Sequence, residues 1–176
     1  MNRIAIIGTS CSGKSTLASV VSKKLGIPHV ELDELHWMPN WRERPDDEFR
    51  SLVISAVAKP GWVIDGNYGA VRNIIWPAAK VIIWLDYSFS RVLFRAIKRS
   101  VRRAISKEKV CSGNTETFRQ SFLSRESAIL WMIQTHKSNR LMYQDLLSGD
   151  QFEKCDIKIF RHPQKLNDYL ANINAQ

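Results

Sequence analysis

Apolar residues along the chain gather into five short runs, separated by stretches in which they recur every three or four positions. The runs cover 4–7, 29–32, 62–65, 81–86 and 156–160, and their continuity suits strands buried on both faces. Between them the spacing predicts helices. Leu17, Val20, Val21 and Leu25 share one helical face, with Gly26 and Pro28 as a stop. Phe49, Leu52, Val53, Ala56 and Val57 form a second face before the Pro60-Gly61 break. After Ser88, a reasonable N-cap, Phe89, Leu93, Ala96, Ile97, Val101 and Ile105 form a third. The stretch 115–147 is helical in character, in two or more pieces, and Pro163 opens a last helix carrying Leu166, Leu170 and Ile173. Trp62, Trp76, Trp84 and Trp131 fall in apolar patterns and are expected in the core. Strands alternating with helices predict a parallel α/β sheet covered on both faces, with no repeats or linkers.

The first strand breaks into a loop of small residues, Gly8-Thr9-Ser10-Cys11-Ser12-Gly13-Lys14-Ser15, followed by Thr16. This fits G-x-x-x-x-G-K-[ST], a phosphate-binding loop, with the required strand before it and helix after it. Glycines at 8 and 13 let the backbone approach a ligand, and successive amides form an anion nest at the helix N-terminus. Lys14 is placed to reach the β- and γ-phosphates, and Ser15 to ligate Mg²⁺. The loop therefore predicts ATP and Mg²⁺ as cofactors.

Ligands of parallel sheets gather beyond the strand carboxyl ends. Three of those ends carry acids, Asp33, Asp65 and Asp86. Asp33 has two open readings: a base that takes the proton of an attacking hydroxyl, or a cap of the following helix. Trp37, Trp41 and Tyr68 follow the same strand ends, either covering a base or sugar ring or packing loops onto the core. His29, His36, His136 and His162 lack metal-ligand spacing and read as loop or edge residues.

With 176 residues the chain is expected to form one domain spanning 1–176. No run approaches the ~18 consecutive apolar residues of a membrane span, and the chain opens on its first strand without a signal peptide. Cys11, Cys111 and Cys155 lie far apart, without metal-ligand spacing, which suits a reducing cytoplasm. The net charge of +9 concentrates between Arg91 and Lys109, where Arg91, Arg95, Lys98, Arg99, Arg102, Arg103, Lys107 and Lys109 face a single acid, Glu108. Arg91, Arg95 and Arg99 recur every four residues, so they share a helix face, opposite the apolar stripe. A planar guanidinium suits a transferring phosphoryl group. The charge also admits a second reading, a nucleic-acid-associated ATPase or regulator.

The chain resembles adenylate-kinase-like P-loop kinases, and most nearly the small bacterial proteins labelled adenylate-kinase-related or DNA topology modulation proteins. The resemblance rests on "GTSCSGKST", "ELDELHW", "WVIDGNY", "VRNIIWP", "VIIWLDYS" and "GNTETFRQSFLSRESAILW" in that order. It implies a three-layer α/β sandwich around a five-stranded parallel sheet, with a helical lid at about 100–148 between strands four and five. It also implies phosphoryl transfer from ATP to a small acceptor such as a nucleoside, nucleotide or similar polar metabolite, by a monomer or homodimer. Asp65 takes the place of the acid that begins the D-G-F-P-R motif and orders Mg²⁺. The arginine of that motif is missing, because Asn67-Tyr68-Gly69 follows Asp65-Gly66, and Arg72 is the substitute. Arg95 and Arg99 match the paired arginines after strand four, and Arg161 is assigned to the nucleotide. Lys14, Asp33, Arg95 and Arg99 are thus the expected catalytic residues. Gly8, Ser10, Cys11, Ser12, Gly13, Lys14, Ser15 and Thr16, with Arg95 and Arg161, should bind the nucleotide. Asp33, Trp37, Asp65, Gly66, Asn67, Tyr68 and Arg72 should face the acceptor, and Ser15 and Asp65 the metal.

Overall fold

The computed structural model describes residues 2–106, 109–115, 127–149, 152–153 and 155–173. Its centre is a five-stranded parallel sheet built from β1 (Arg3–Gly8), β2 (His29–Glu31), β3 (Trp62–Asp65), β4 (Val81–Leu85) and β5 (Asp156–Phe160), in the order β2-β3-β1-β4-β5. All four pairings are parallel. Seven α-helices are described: α1 (Lys14–Leu25), α2 (Leu32–His36), α3 (Asp46–Val57), α4 (Gly69–Ala78), α5 (Phe89–Ser106), α6 (Ala128–Leu147) and α7 (Pro163–Asn172).

The near-continuous apolar strands follow from two cores. Ile4 and Ile6 point into a cluster with Leu17, Val21, Val63, Ile83, Val92 and Leu166, while Ala5 and Ile7 point into one with Phe49, Val53, Trp62, Ile75, Trp76 and Trp84. The apolar residues of β1, β3 and β4 alternate between the two. The edge strands β2 and β5 are less buried and carry polar residues at His29, Glu31, Asp156 and Lys158. The expected fold class is therefore realised.

Several expectations are corrected. The apolar stripe on α5 packs only in part. Its Leu93 and Ala96 meet the core beside Val92 and the buried Ser100, whereas Phe89, Ile97 and Val101 are exposed and Ile105 is 78% exposed. The inward face is narrow and small, with Ala96 and Ser100 allowing close approach. Trp131 is 60% exposed on α6, unlike the buried Trp62, Trp76 and Trp84. The predicted cap at Asp33 is also absent. Glu31 holds the N-cap position of α2, without a side-chain cap bond, and Asp33 lies in the first turn. Part of the expected 100–148 lid, residues 116–126, lies outside the described residues.

Two short antiparallel ribbons sit beside the strand ends. One pairs Trp37–Met38 with Arg42–Glu43, and the other pairs Lys109–Val110 with Asn114–Thr115. Asn114, only 6% exposed, stitches them together. Its side chain accepts from Trp41 N at 3.1 Å and donates to Met38 O at 3.1 Å and Cys111 O at 2.8 Å. Ser112 adds a hydroxyl bond to Trp37 O at 2.5 Å, and its amide donates to Glu34 Oε2 at 2.9 Å.

Two stability outcomes are expected. At Gly66 φ is +143° and an added Cβ would stand 2.7 Å from Leu32 Cβ. Gly66→Ala should cost about 2–3 kcal/mol through backbone strain and overpacking. Combined with Leu32→Ala it should cost less than the two changes summed, as urea unfolding would read. Tyr143 is 1% exposed and its hydroxyl has no partner. Tyr143→Phe should therefore leave the melting temperature unchanged or raise it.

Candidate active site

The parallel register sets the site. Glu31 stands opposite Asp65, and Asp65 opposite Ile6, two residues before the phosphate loop begins at Gly8. Two strand-end acids are thereby delivered beside the first turn of α1. Ser15 Oγ lies within donating reach of both, at 2.8 Å from Asp65 Oδ2 and 3.1 Å from Glu31 Oε1, and its one proton serves one of them at a time. Asp65 is buried, and its other oxygen is 2.7 Å from His29 Nε2. Burial, then the neighbouring Asp65 charge, holds the Glu31 carboxyl above its ordinary range.

The loop itself is drawn tight. Gly8 has φ +146°, and an added Cβ would meet Leu85 O at 2.8 Å and Ser12 Oγ at 2.9 Å. Cys11 turns the chain with a left-handed φ of 64°, and its Sγ lies 3.7 Å from Ser10 Oγ. Gly13 holds the N-cap of α1 with no side-chain cap bond, so no side chain of the cap competes with an anion there. Lys14 Nζ rests on Thr9 O at 3.3 Å. Burial lowers the lysine pKa, against the Asp33 and Asp65 charges that raise it. Thr16 is exposed in the first turn of α1.

From α5, Arg95 reaches the loop. Its NH1 donates to Ser12 O at 2.6 Å, and its guanidinium lies 4.9 Å from the Tyr87 ring centroid. Arg99 stands near enough to Lys14 to help lower its pKa, and its buried Nε has no hydrogen-bond partner among the described residues. The same holds for the buried Ser12 Oγ. An uncapped helix start, an unpartnered guanidinium nitrogen and a desolvated lysine fit a polyphosphate. The hydroxyl of Ser15 with the carboxylate of Asp65 fits Mg²⁺, which prefers hard oxygen ligands.

The acceptor side is acidic and aromatic. Tyr68 OH donates to Asp33 Oδ1 at 2.6 Å. Burial, then the Asp33 charge, pushes the Tyr68 phenol well above its ordinary pKa, so it remains a donor. His36 contacts the rings of Trp37, Phe49 and Tyr68, and Trp37 meets Trp41 edge-on at 5.7 Å. Asn67 grips the phosphate loop, accepting from Gly8 N at 3.4 Å and donating to Gly8 O. Gly66, Asn67, Tyr68 and Arg72 line a crevice floored by Ile7, Ile64 and Tyr143. Arg72 lies over the Trp76 ring, 5.2 Å from its centroid.

The structure thus gathers Lys14, Ser15, Asp33, Asp65, Asn67, Tyr68, Arg95 and Arg99 around the loop. Asp86 stands apart from them. It is buried at the end of β4 and paired with Arg140 at 2.8 Å and Arg161 at 3.1 Å. Arg161 therefore rests on Asp86 rather than on the loop. His29 and Glu31 were missed by sequence reasoning, as were the two ribbons. The signal for the first pair was the i, i+2 alternation that puts both on one face of β2.

Neither a family model nor a curated protein matches the sequence. Among solved structures the chain is similar to a shikimate kinase from Bacteroides thetaiotaomicron, with a TM-score of 0.57 and 14% identity over 97% of this chain and 94% of that one. It is also similar to a gluconokinase from Sinorhizobium meliloti 1021, with a TM-score of 0.54 and 16% identity over 97% and 89% of the chains. A sugar kinase from Janibacter sp. HTCC2649 gives a TM-score of 0.52 and 16% identity over 96% and 91%. The likeness is one of fold, and the fold is that of the P-loop kinases. The resemblance to adenylate-kinase-like proteins holds at this coarser level. No described helix is long and apolar enough to cross a membrane.

Two substitutions separate binding from folding here. Lys14→Met should abolish binding of an ATP analogue, measured by calorimetry, while the nucleotide-free protein melts at the same or a higher temperature. The amine is desolvated there and makes one backbone contact. His29→Ala should destabilise the protein by about 1–3 kcal/mol, because a buried carboxylate loses a hydrogen bond. His29→Gln should recover part of that loss in urea unfolding.

Proposed function

We propose that the chain transfers a phosphoryl group from ATP, in the presence of Mg²⁺, to a hydroxyl of a small polar metabolite. The observation that carries this reading is Asp33. Its carboxylate is oriented by Tyr68 at 2.6 Å and lies on the side of the loop where Lys14 feels its charge. Glu31 stands beside it. Such a wall repels a phosphate acceptor and suits a neutral hydroxyl, whose proton Asp33 takes as the oxygen–phosphorus bond forms and ADP departs.

The other residues have complementary work. Amides of the loop and Lys14 hold the phosphates, while Arg95 and Arg99 face the charge that spreads over the transferring oxygens. Ser15 and Asp65 would hold Mg²⁺, which would supply neutralisation of the phosphate charge. Asn67 fixes the loop through its two bonds to Gly8. The shikimate, gluconate and sugar kinases of like fold support a small metabolite as acceptor, as does the nearer resemblance to adenylate-kinase-related proteins.

ATP turnover should rise on addition of a hydroxylated acceptor and stay unchanged with DNA or RNA; the reverse result favours the nucleic-acid reading. Asp33→Asn should lower kcat by about 10²–10⁴-fold with little change in the KM for ATP. Arg99→Met should cost about 2–4 kcal/mol of transition-state stabilisation, whereas the exposed Lys98→Ala should leave kcat/KM nearly unchanged.

A further inference from the structure

Three potential metal ligands converge from distant parts of the chain. Glu31 ends β2, Asp33 lies in the first turn of α2, and Cys111 belongs to the ribbon formed by 109–115. Their ligand atoms lie within 4.8 Å of one another. We propose that Glu31, Asp33 and Cys111 form a binding site for a thiophilic divalent cation of the zinc class.

Distance supports it. Bond lengths of ~2.0 Å to oxygen and ~2.3 Å to sulfur put tetrahedral ligands about 3.5 Å apart. Closing from 4.8 Å asks for about 1 Å of side-chain movement, within the range of a rotamer adjustment. The outer shell is also in place. Ser15 Oγ donates to Glu31 Oε1 at 3.1 Å, and Tyr68 OH donates to Asp33 Oδ1 at 2.6 Å. Asp33 is thus oriented by a hydroxyl from outside the cluster, as metal-ligating carboxylates are, while Glu31 shares the Ser15 hydroxyl with Asp65. The second oxygen of each carries no hydrogen bond among the described residues.

Charge and softness select the ion. Burial, followed by the Asp33, Glu31 and Glu34 charges, pushes the Cys111 thiol up to about 12. The cluster therefore concentrates negative charge within a chain whose net charge is +9. Magnesium gains nothing from a sulfur ligand, whereas zinc and cadmium favour one. On binding, the Cys111 S–H bond breaks, its proton passes to solvent, and a sulfur–metal bond forms without electron transfer. The bound ion would occupy the free oxygen of Asp33 and pin the 109–115 ribbon to the end of β2. Inhibition of phosphoryl transfer follows from that and alone rests on the proposed function; metal binding does not.

The test uses the full chain, stripped with a chelator and free of nucleotide. Zinc titration should show one equivalent bound, with about one proton released per ion near neutral pH. Cobalt should give a thiolate-to-metal charge-transfer band. Cys111→Ser should lose that band at an unchanged melting temperature, while Cys11→Ser and Cys155→Ser keep it. Tyr68→Phe should weaken zinc binding about tenfold or more. Should Cys111→Ser fold poorly, Asp33→Asn serves instead, and must weaken cobalt binding about tenfold with the band retained. A band that persists in Cys111→Ser, or zinc bound no more tightly than magnesium, overturns the proposal. So does an unchanged affinity in Asp33→Asn. If zinc binds as described and phosphoryl transfer continues, the metal site stands and the role of Asp33 as base falls.

Discussion

A carboxylate with 2% of its surface exposed lies at the end of β3, and the surrounding site is organised by the need to satisfy it. Buried charge is costly unless it is paired and hydrogen-bonded. Asp65 meets that requirement with His29 from one strand and Ser15 from the helix that follows the phosphate loop. Both partners are in reach because β2, β3 and β1 run parallel in a register that brings their ends level. The contact ties the loop, the neighbouring strand and the first helix to one point. Gly66 then turns the chain against Leu32, which directs Asn67 back onto Gly8 and Tyr68 onto Asp33.

Charges of both signs meet around that point. Lys14 lies in the fields of Asp33, Asp65 and Arg99, Ser15 reaches Glu31, and Arg95 holds the Ser12 carbonyl. On the proposed function, the cations face the phosphates and the Asp33 carboxylate faces the acceptor. Arg95 is itself braced by Tyr87 and the Ser12 carbonyl, so its position is fixed before a ligand arrives.

The sheet was legible because strands buried on both faces must be apolar throughout, and five such runs stand out. The phosphate loop was legible because its backbone demands small residues at fixed spacing. The α5 stripe was legible only in part: hydrophobic spacing shows that residues share a face but does not say which of them pack, and Leu93 and Ala96 meet the core while Phe89, Ile97, Val101 and Ile105 do not. Trp131 failed for the same reason. Asp33 is not the cap of α2, because Glu31 holds that position, and its partner Tyr68 lies 35 residues away, so no local pattern encodes the pair. Arg161 was placed by resemblance to bind nucleotide, yet a buried Asp86 competes for it, and burial of a strand-end acid is invisible in the chain itself. Asn114 was hidden most completely, since its bonds go to backbone atoms some seventy residues away.

Those backbone bonds have a kinetic meaning. In a kinase whose acceptor wall and lid were separate bodies, each could swing on its own hinge and either ligand could enter first. Here the 37–43 and 109–115 ribbons are joined by Asn114 and Ser112 through three hydrogen bonds, with Cys111 beside Asp33. On the proposed function, an acceptor that has to part the ribbons meets one barrier rather than two, because neither ribbon moves away without breaking the bonds that hold the other.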